Sequence, residues 1–218
     1  MNRTIKEIAE SLLGRPLSEN DGINNTIIQQ AESRLGIKLP EALKEFYALM
    51  GNLEIFTSSF ECFMTPDELE YEDSMLIFLD ENQGVCQWAV NIIDDEDATV
   101  YMVTINDDKP IWHSEEVTLE EFLKVVMYLQ YAEGGCEYGY AVYESDFEDR
   151  QAFEVFHAET TADWEKVVDH NGFVAYQKKS TLIWYFSDSK GQMEDILYAS
   201  TQTEEDSKEL ELLGFTEL

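Results

Sequence analysis

The sequence predicts an α+β fold in which N-terminal helices and a closing helix pack on a mainly antiparallel mixed sheet. Three observations lead to this prediction. Apolar residues recur at helical spacing in the first third of the 218-residue chain. The middle of the chain changes to short runs rich in β-branched and aromatic residues, separated by turn-forming Asn, Asp and Gly. A helical pattern returns after these runs, and this order of elements is typical of an α+β protein.

Three helices are predicted near the N-terminus. Residues 5–13 place their apolar side chains on one helical face, and residues 27–35 do the same before Gly36 ends the pattern. Pro40 suits the first position of a third helix over residues 41–50.

The middle of the chain predicts a meander of antiparallel strands, because its apolar runs are short and closely spaced. Two Thr-x-x-Glu patterns interrupt or follow these runs. The pattern at 65–68 predicts one helical turn, and the pattern at 118–121 opens a clear helix that ends at Gly134 and Gly135. The predicted strands are 60–64, 75–79, 85–92, 99–105 and 109–113.

The remaining chain predicts a small α+β C-terminal extension. We therefore divide the sequence into a main domain, residues 1–136, and an extension, residues 137–218. The predicted elements of the extension are a strand at 137–143, a helix at 161–170, a hairpin of 173–177 and 182–186, a strand at 196–200 and a helix at 204–213.

The search for catalytic chemistry returns no recognised motif. The sequence contains no nucleophile elbow, phosphate-binding loop, dinucleotide fingerprint or HExxH zinc motif. Its three histidines, His113, His157 and His170, are widely separated, and none has metal-ligand spacing to another. We therefore predict no enzyme activity, no catalytic residues, no metal and no cofactor. A hydrolase that uses scattered carboxylates is a rival that the sequence offers no spacing to support.

The charge distribution is the most informative feature of the sequence. The chain carries 46 Asp and Glu against 14 Lys and Arg, a formal net charge of −32. Residues 1–50 are close to neutral, whereas no Lys or Arg occurs between Lys44 and Lys109. Such a balance argues against nucleic-acid and anionic-membrane partners and favours a basic protein partner. Plain solubility is the alternative, although it predicts an even spread of acids.

The location and the aromatic residues give two further predictions. A charged N-terminus and short apolar runs argue against a signal peptide and a membrane span, and three cysteines without a CxxC pattern fit a reducing compartment. The sequence therefore predicts a cytoplasmic protein. Trp88 and Trp112 lie in the middle of predicted strands, where we expect both side chains to point inward.

Residues 20–133 contain an ordered set of motifs. Leu35-Gly36 and Leu39-Pro40 follow a helix that carries Glu32 and precede a second helix. They are followed by a central Gly- and Trp-containing hairpin at 81–90, an acidic turn before a strand at 94–101, and the helix from Thr118. In this order the motifs of residues 20–133 resemble those of the SUKH superfamily. The sequence departs from the family pattern at Gly51-Asn52, where Asn-Gly is usual, and at Ala98-Thr99, where prolines are common.

The resemblance implies a function as well as a fold. The superfamily includes fungal regulators of cell-wall glucan synthesis and many bacterial immunity proteins, which bind and neutralise cognate toxins, frequently nucleases. Because nucleases bind phosphates, they tend to be basic, and the acidic charge of this chain is complementary to such a surface. We therefore predict a bacterial immunity protein that occludes a basic toxin, with a regulatory or scaffold protein as the alternative. The predicted partner-binding residues are Asp80, Glu81, Asp94, Asp95, Glu96, Asp97, Asp107 and Asp108.

Overall fold

The computed structural model describes residues 3–92, 98–106 and 109–218. These residues form two compact units. The N-terminal unit comprises Arg3–Ala9 and Pro16–Gln130, and the C-terminal unit comprises Glu10–Arg15 and Tyr131–Leu218.

The helices of the N-terminal unit have clear local causes. The Asn24 side chain caps α2 by accepting a hydrogen bond from the Thr26 N–H, and Gly36 ends that helix with a φ of 71°. Thr118 and Glu121 form a reciprocal capping box at the start of α5, as the sequence predicts. The helices are α1 (Ile5–Leu13, shared with the C-terminal unit), α2 (Asn25–Leu35), α3 (Glu41–Met50), α4 (Glu54–Thr57) and α5 (Leu119–Gln130).

The N-terminal unit contains one six-stranded sheet in which all pairs are antiparallel. Its order is β1-β3-β4-β5-β6, and β2 also pairs with β3. The strands are β1 (Cys62–Phe63), β2 (Glu70–Glu72), β3 (Met75–Asp80), β4 (Cys86–Asn91), β5 (Thr99–Asn106) and β6 (Lys109–Thr118).

One face of this sheet, which we call the inner face, forms the core of the unit. Leu76 and Val90 are cross-strand partners on this face and are fully buried. Phe78 packs edge-on against Phe122 of α5, with ring centroids 6.0 Å apart, and Phe63 stacks on a buried ring of α3. Aromatic and aliphatic burial against the helices therefore stabilises the inner face.

A buried amide connects α5 to the chain that enters the sheet. Gln130 is fully buried, and its Oε1 accepts hydrogen bonds from the backbone N–H groups of Phe60 and Glu61 at 2.7 and 2.9 Å and from the Ser59 hydroxyl. Its Nε2 donates to the Glu61 carbonyl at 2.6 Å. One side chain thus satisfies several backbone groups of segment 59–61.

The C-terminal unit contains a second six-stranded antiparallel sheet, of order β12-β7-β11-β10-β9-β8. A core that includes Phe153, Ile183 and Leu210 lies between this sheet and its two long helices. The elements are a π-helical turn (Tyr131–Gly135), β7 (Tyr138–Tyr143), a 3₁₀ turn (Glu144–Asp146), α6 (Arg150–Thr160), β8 (Glu165–His170), β9 (Phe173–Lys178), β10 (Thr181–Phe186), β11 (Ile196–Thr201), α7 (Glu204–Leu213) and β12 (Thr216–Glu217).

The predicted fold class is confirmed, and two predicted secondary-structure elements are wrong. The predicted helix at 161–170 is instead a turn that follows α6, succeeded by strand β8. Segment 65–68 is a hydrogen-bonded turn rather than a helical turn, although Glu68 and Thr65 do pair as predicted. The short acidic strand β2 has no counterpart among the predicted elements.

Candidate protein-binding surface

The register of the first sheet builds a second, solvent-facing surface, which we call the outer face. Cross-strand partners share a face, so two rows can be followed from β2 or β3 to β6. One row contains Glu70, Ile77, Ala89, Tyr101 and Ser114, and the other contains Asp80, Gln87, Val103 and Trp112.

The outer face combines apolar and acidic side chains. Ile77 and Tyr101 are partly exposed at its centre, and Ala89 and Val103 are buried. Glu70 is exposed at the β2 edge, and Glu72 shares its face because the two residues are two positions apart. The described positions of both rows hold no Lys or Arg. A partly exposed apolar surface with acids at one edge is a candidate for binding another protein.

The outward orientation of Trp112 corrects the prediction that it points inward. Trp112 pairs with Val103 on the outer face and is 38% exposed. Trp88 lies on the inner face, where it is half-buried and its ring centroid lies 6.0 Å from that of Phe122. The Trp88 Nε1–H donates to a carboxylate oxygen of Glu115 at 2.8 Å.

Asp80 and Glu81 both take part in local hydrogen bonds at the end of β3. The Asp80 carboxylate accepts from the Gln87 side-chain amide at 2.7 Å. The Glu81 carboxylate accepts from the backbone N–H groups of Gln83 and Val85 at 2.9 and 3.0 Å, and so closes the β3–β4 turn. The other predicted partner-binding residues, Asp94, Asp95, Glu96, Asp97, Asp107 and Asp108, lie outside the described residues.

The strand directions show which residues lie at the same end of the first sheet. Because β3 to β6 alternate in direction, the β3–β4 turn and the adjoining ends of β5 and β6 lie at the same end of the sheet. Ile92 and Ala98 lie at the opposite end. Asp80 and Glu81 therefore lie at the same end of the sheet as Asn106 and Lys109, and at the opposite end from Ile92 and Ala98.

Two cysteines of the first sheet differ in their environment. Burial, followed by the negative charges of Glu81, Glu61 and Glu115, raises the pKa of the Cys86 thiol to about 11. This thiol is therefore a poor nucleophile at neutral pH. Cys62 differs, because it is exposed and pairs with Asp80 on the outer face.

Two further findings concern metal binding and membrane-spanning helices. Residues 3–92, 98–106 and 109–218 contain no group of three His, Cys, Asp or Glu side chains placed to hold a metal ion. Within the same ranges no helix has both the length and the apolar character needed to cross a bilayer.

The fold is α+β, and its outer face is a candidate protein-binding surface. A model of the SMI1/KNR4 family (SUKH-1) matches residues 22–149, more than half of the chain, and the chain belongs to this family. The match confirms the predicted SUKH resemblance and supports a non-catalytic regulatory or immunity module. It extends through β7 into the C-terminal unit. Neither the curated proteins nor the solved structures include a significant match.

Proposed function

We propose that this protein is a cytoplasmic bacterial immunity protein that neutralises a cognate basic toxin of nuclease type by covering its surface. The observation that carries the proposal is the outer face, whose residues on β2 to β5 lie within the long stretch of sequence that lacks Lys and Arg. A nuclease surface that binds phosphates is complementary to such a face in charge.

The acidic and apolar parts of the outer face have different roles in this proposal. Acidic side chains steer the encounter and raise the association rate by about 10–10³-fold at low salt. Aromatic anchors that lose water in the complex supply most of the affinity. We assign steering to Glu70 and Glu72 together with the predicted acidic residues, and anchoring to Tyr101 and Trp112.

The test of the proposal uses the toxin domain encoded beside the gene. We expect this chain to abolish the nuclease activity of that domain at one-to-one stoichiometry. A neighbouring basic nuclease domain that neither binds this chain nor loses activity would contradict the proposal.

Charge reversal tests the steering role. We expect Glu70→Lys with Glu72→Lys to lower the association rate about tenfold at low salt and to flatten its dependence on salt. Reversal of Asp94 to Asp97 is expected to act in the same way. The measurement is stopped-flow association at several ionic strengths.

The matched control for the β2 pair is Glu148→Lys with Glu159→Lys. These two acids are exposed on the C-terminal unit, so the control changes the net charge equally. Equal salt slopes for the two double variants would show that net charge, rather than the outer face, sets the rate.

A regulatory or scaffold role is the second candidate, because the family match supports it as well as an immunity role. In that case the partner is a cellular protein, and no toxin gene adjoins this one. Identification of the neighbouring reading frames separates the two candidates.

A further inference from the structure

The strands at the sheet edges differ greatly in length. β1 and β2 share one edge of the first sheet and have two and three residues, and β12 has two. β8 has six residues, with charged side chains and a shift in register. β6, at the other edge of the first sheet, has ten residues. An open edge strand presents unpaired backbone groups to another chain, and proteins normally keep such edges short or irregular.

Pro110 fixes which backbone groups of β6 point outward. Proline has no N–H, so it occupies a strand position whose N–H would face away from the neighbouring strand. Trp112 and Ser114 follow at two-residue intervals, so their backbone groups point to the same side of the strand as those of Pro110. Their N–H and C=O groups face away from β5, toward the open edge.

Side chains do not obstruct this edge, and a bulge limits its length. Ile111, Trp112, His113 and Ser114 are exposed, so both faces of β6 are accessible beside the outward backbone groups. The pairing with β5 shifts between Thr99 and Tyr101, so residues 115–117 form a bulge in which Glu116 has a φ of 58°. Among the described residues, the regular part of β6 with no partner strand on its outer side is therefore the segment 110–114.

We propose that an extended, positively charged segment of the partner adds to β6 as a further antiparallel strand. This proposal rests on the proposed function, which supplies the basic partner. Strand addition uses main-chain hydrogen bonds for affinity and flanking pockets for specificity. Glu116 is exposed beside the open segment, and Trp112 offers an apolar contact there. A second copy of the chain is disfavoured, because each copy carries a formal charge of −32.

The test uses a blocked eight-residue peptide of alternating lysine and valine at millimolar concentration and the full-length protein. We expect amide hydrogen exchange at Trp112 and Ser114, followed by NMR, to slow at least tenfold when the peptide binds. The same peptide with an N-methyl group on every residue keeps its charge but has no backbone N–H donors on either edge, and we expect it to give no protection. An alternating glutamate–valine peptide is expected to give none either.

Three results would overturn the proposal. The first is the absence of protection at Trp112 and Ser114 with the unmodified basic peptide. The second is equal protection by the methylated or the acidic peptide. The third is protection without any peptide, together with a doubled mass in solution, which would make a second copy the occupant.

A pair of variants extends the test to the toxin domain. Ser114→Pro removes the outward N–H, whereas Ser114→Ala removes the same hydroxyl and keeps the N–H. We expect the proline variant alone to raise the dissociation rate at least tenfold, with an unchanged thermal midpoint. If both variants inhibit the toxin domain equally, strand addition is wrong and the proposed function stands. If the unaltered chain fails to inhibit the toxin domain, the proposed function is wrong. The peptide experiment then still tests whether a basic strand adds to β6.

Discussion

Gln130 shows how much a single residue contributes to the N-terminal unit. We expect Gln130→Leu to lower the free energy of unfolding by about 2–4 kcal/mol, because it leaves the N–H groups of Phe60 and Glu61 buried without acceptors. Chemical denaturation measures this change. Gln29→Leu on the exposed side of α2 is the control and should change the free energy by less than about 0.5 kcal/mol. Equal effects would show that Gln130 is not structural.

Trp112 and Phe78 are both large aromatic residues of the same sheet with opposite environments. We expect Phe78→Ala to cost about 3–5 kcal/mol of stability, because the ring is fully buried. Trp112→Ala should cost less than about 1 kcal/mol, because its ring lies on the exposed outer face. Denaturation of both variants tests this contrast. A large loss with Trp112→Ala would argue that the ring is part of the core.

The sequence alone could not predict the direction of Trp112. Period-two alternation places residues on opposite faces, but an apolar side chain on an exposed strand looks the same as a buried one. The orientation follows from its pairing with Val103, which depends on the register of the β5–β6 hairpin. The acidic character of the surface was predictable from the missing Lys and Arg, whereas the contribution of Glu70 and Glu72 was not, because β2 lacks apolar alternation.

At the scale of elements, the β2–β3 hairpin contains an unfavourable turn. Asp73 and Ser74 connect Glu72 to Met75 with φ values of 49° and 74°, a type I′ geometry that favours glycine at its second position. We expect Ser74→Gly to raise the free energy of unfolding by about 0.5–1 kcal/mol. Ser33→Gly within α2 is the control and should lower it by a similar amount. Thermal unfolding distinguishes the two, and a destabilised Ser74→Gly would contradict this account.

Strand β8 explains why a helix was predicted in its place. Val167 and Val168 are adjacent and both buried, because the pairing with β9 shifts between Lys166 and Val168. A bulge of this kind interrupts alternation, and the resulting pattern, with Trp164, resembles one helical face. Regular elements such as α2, β4 and the β9–β10 hairpin were predicted correctly, because their side-chain periods are uninterrupted.

At the scale of the whole molecule, His157 links stability to pH. Its Nε2 is buried without a hydrogen-bond partner among the described residues, and its ring lies edge-on to Tyr176 and Tyr185. Burial lowers its pKa below the ordinary value of about 6.5. The unfolded chain therefore binds the proton more readily, and stability that is present above pH 6.5 is lost as the pH falls toward the lower, folded-state pKa.

His157→Phe removes this titration. We expect the free energy of unfolding of the unaltered protein to fall relative to that of the variant between pH 7 and pH 5. Denaturation at several pH values measures the difference, which also cancels the contribution of the carboxylates that both proteins share. A difference that is independent of pH would exclude this role for His157.

Cys62 offers a site for selective labelling of the outer face. Burial raises the pKa of Cys136 and, with neighbouring carboxylates, that of Cys86, so both thiols are protonated at neutral pH, whereas Cys62 is exposed. A maleimide dye should therefore attach selectively at Cys62, opposite Asp80 on β3. Fluorescence from that position would follow occupancy of the sheet in real time without an introduced cysteine.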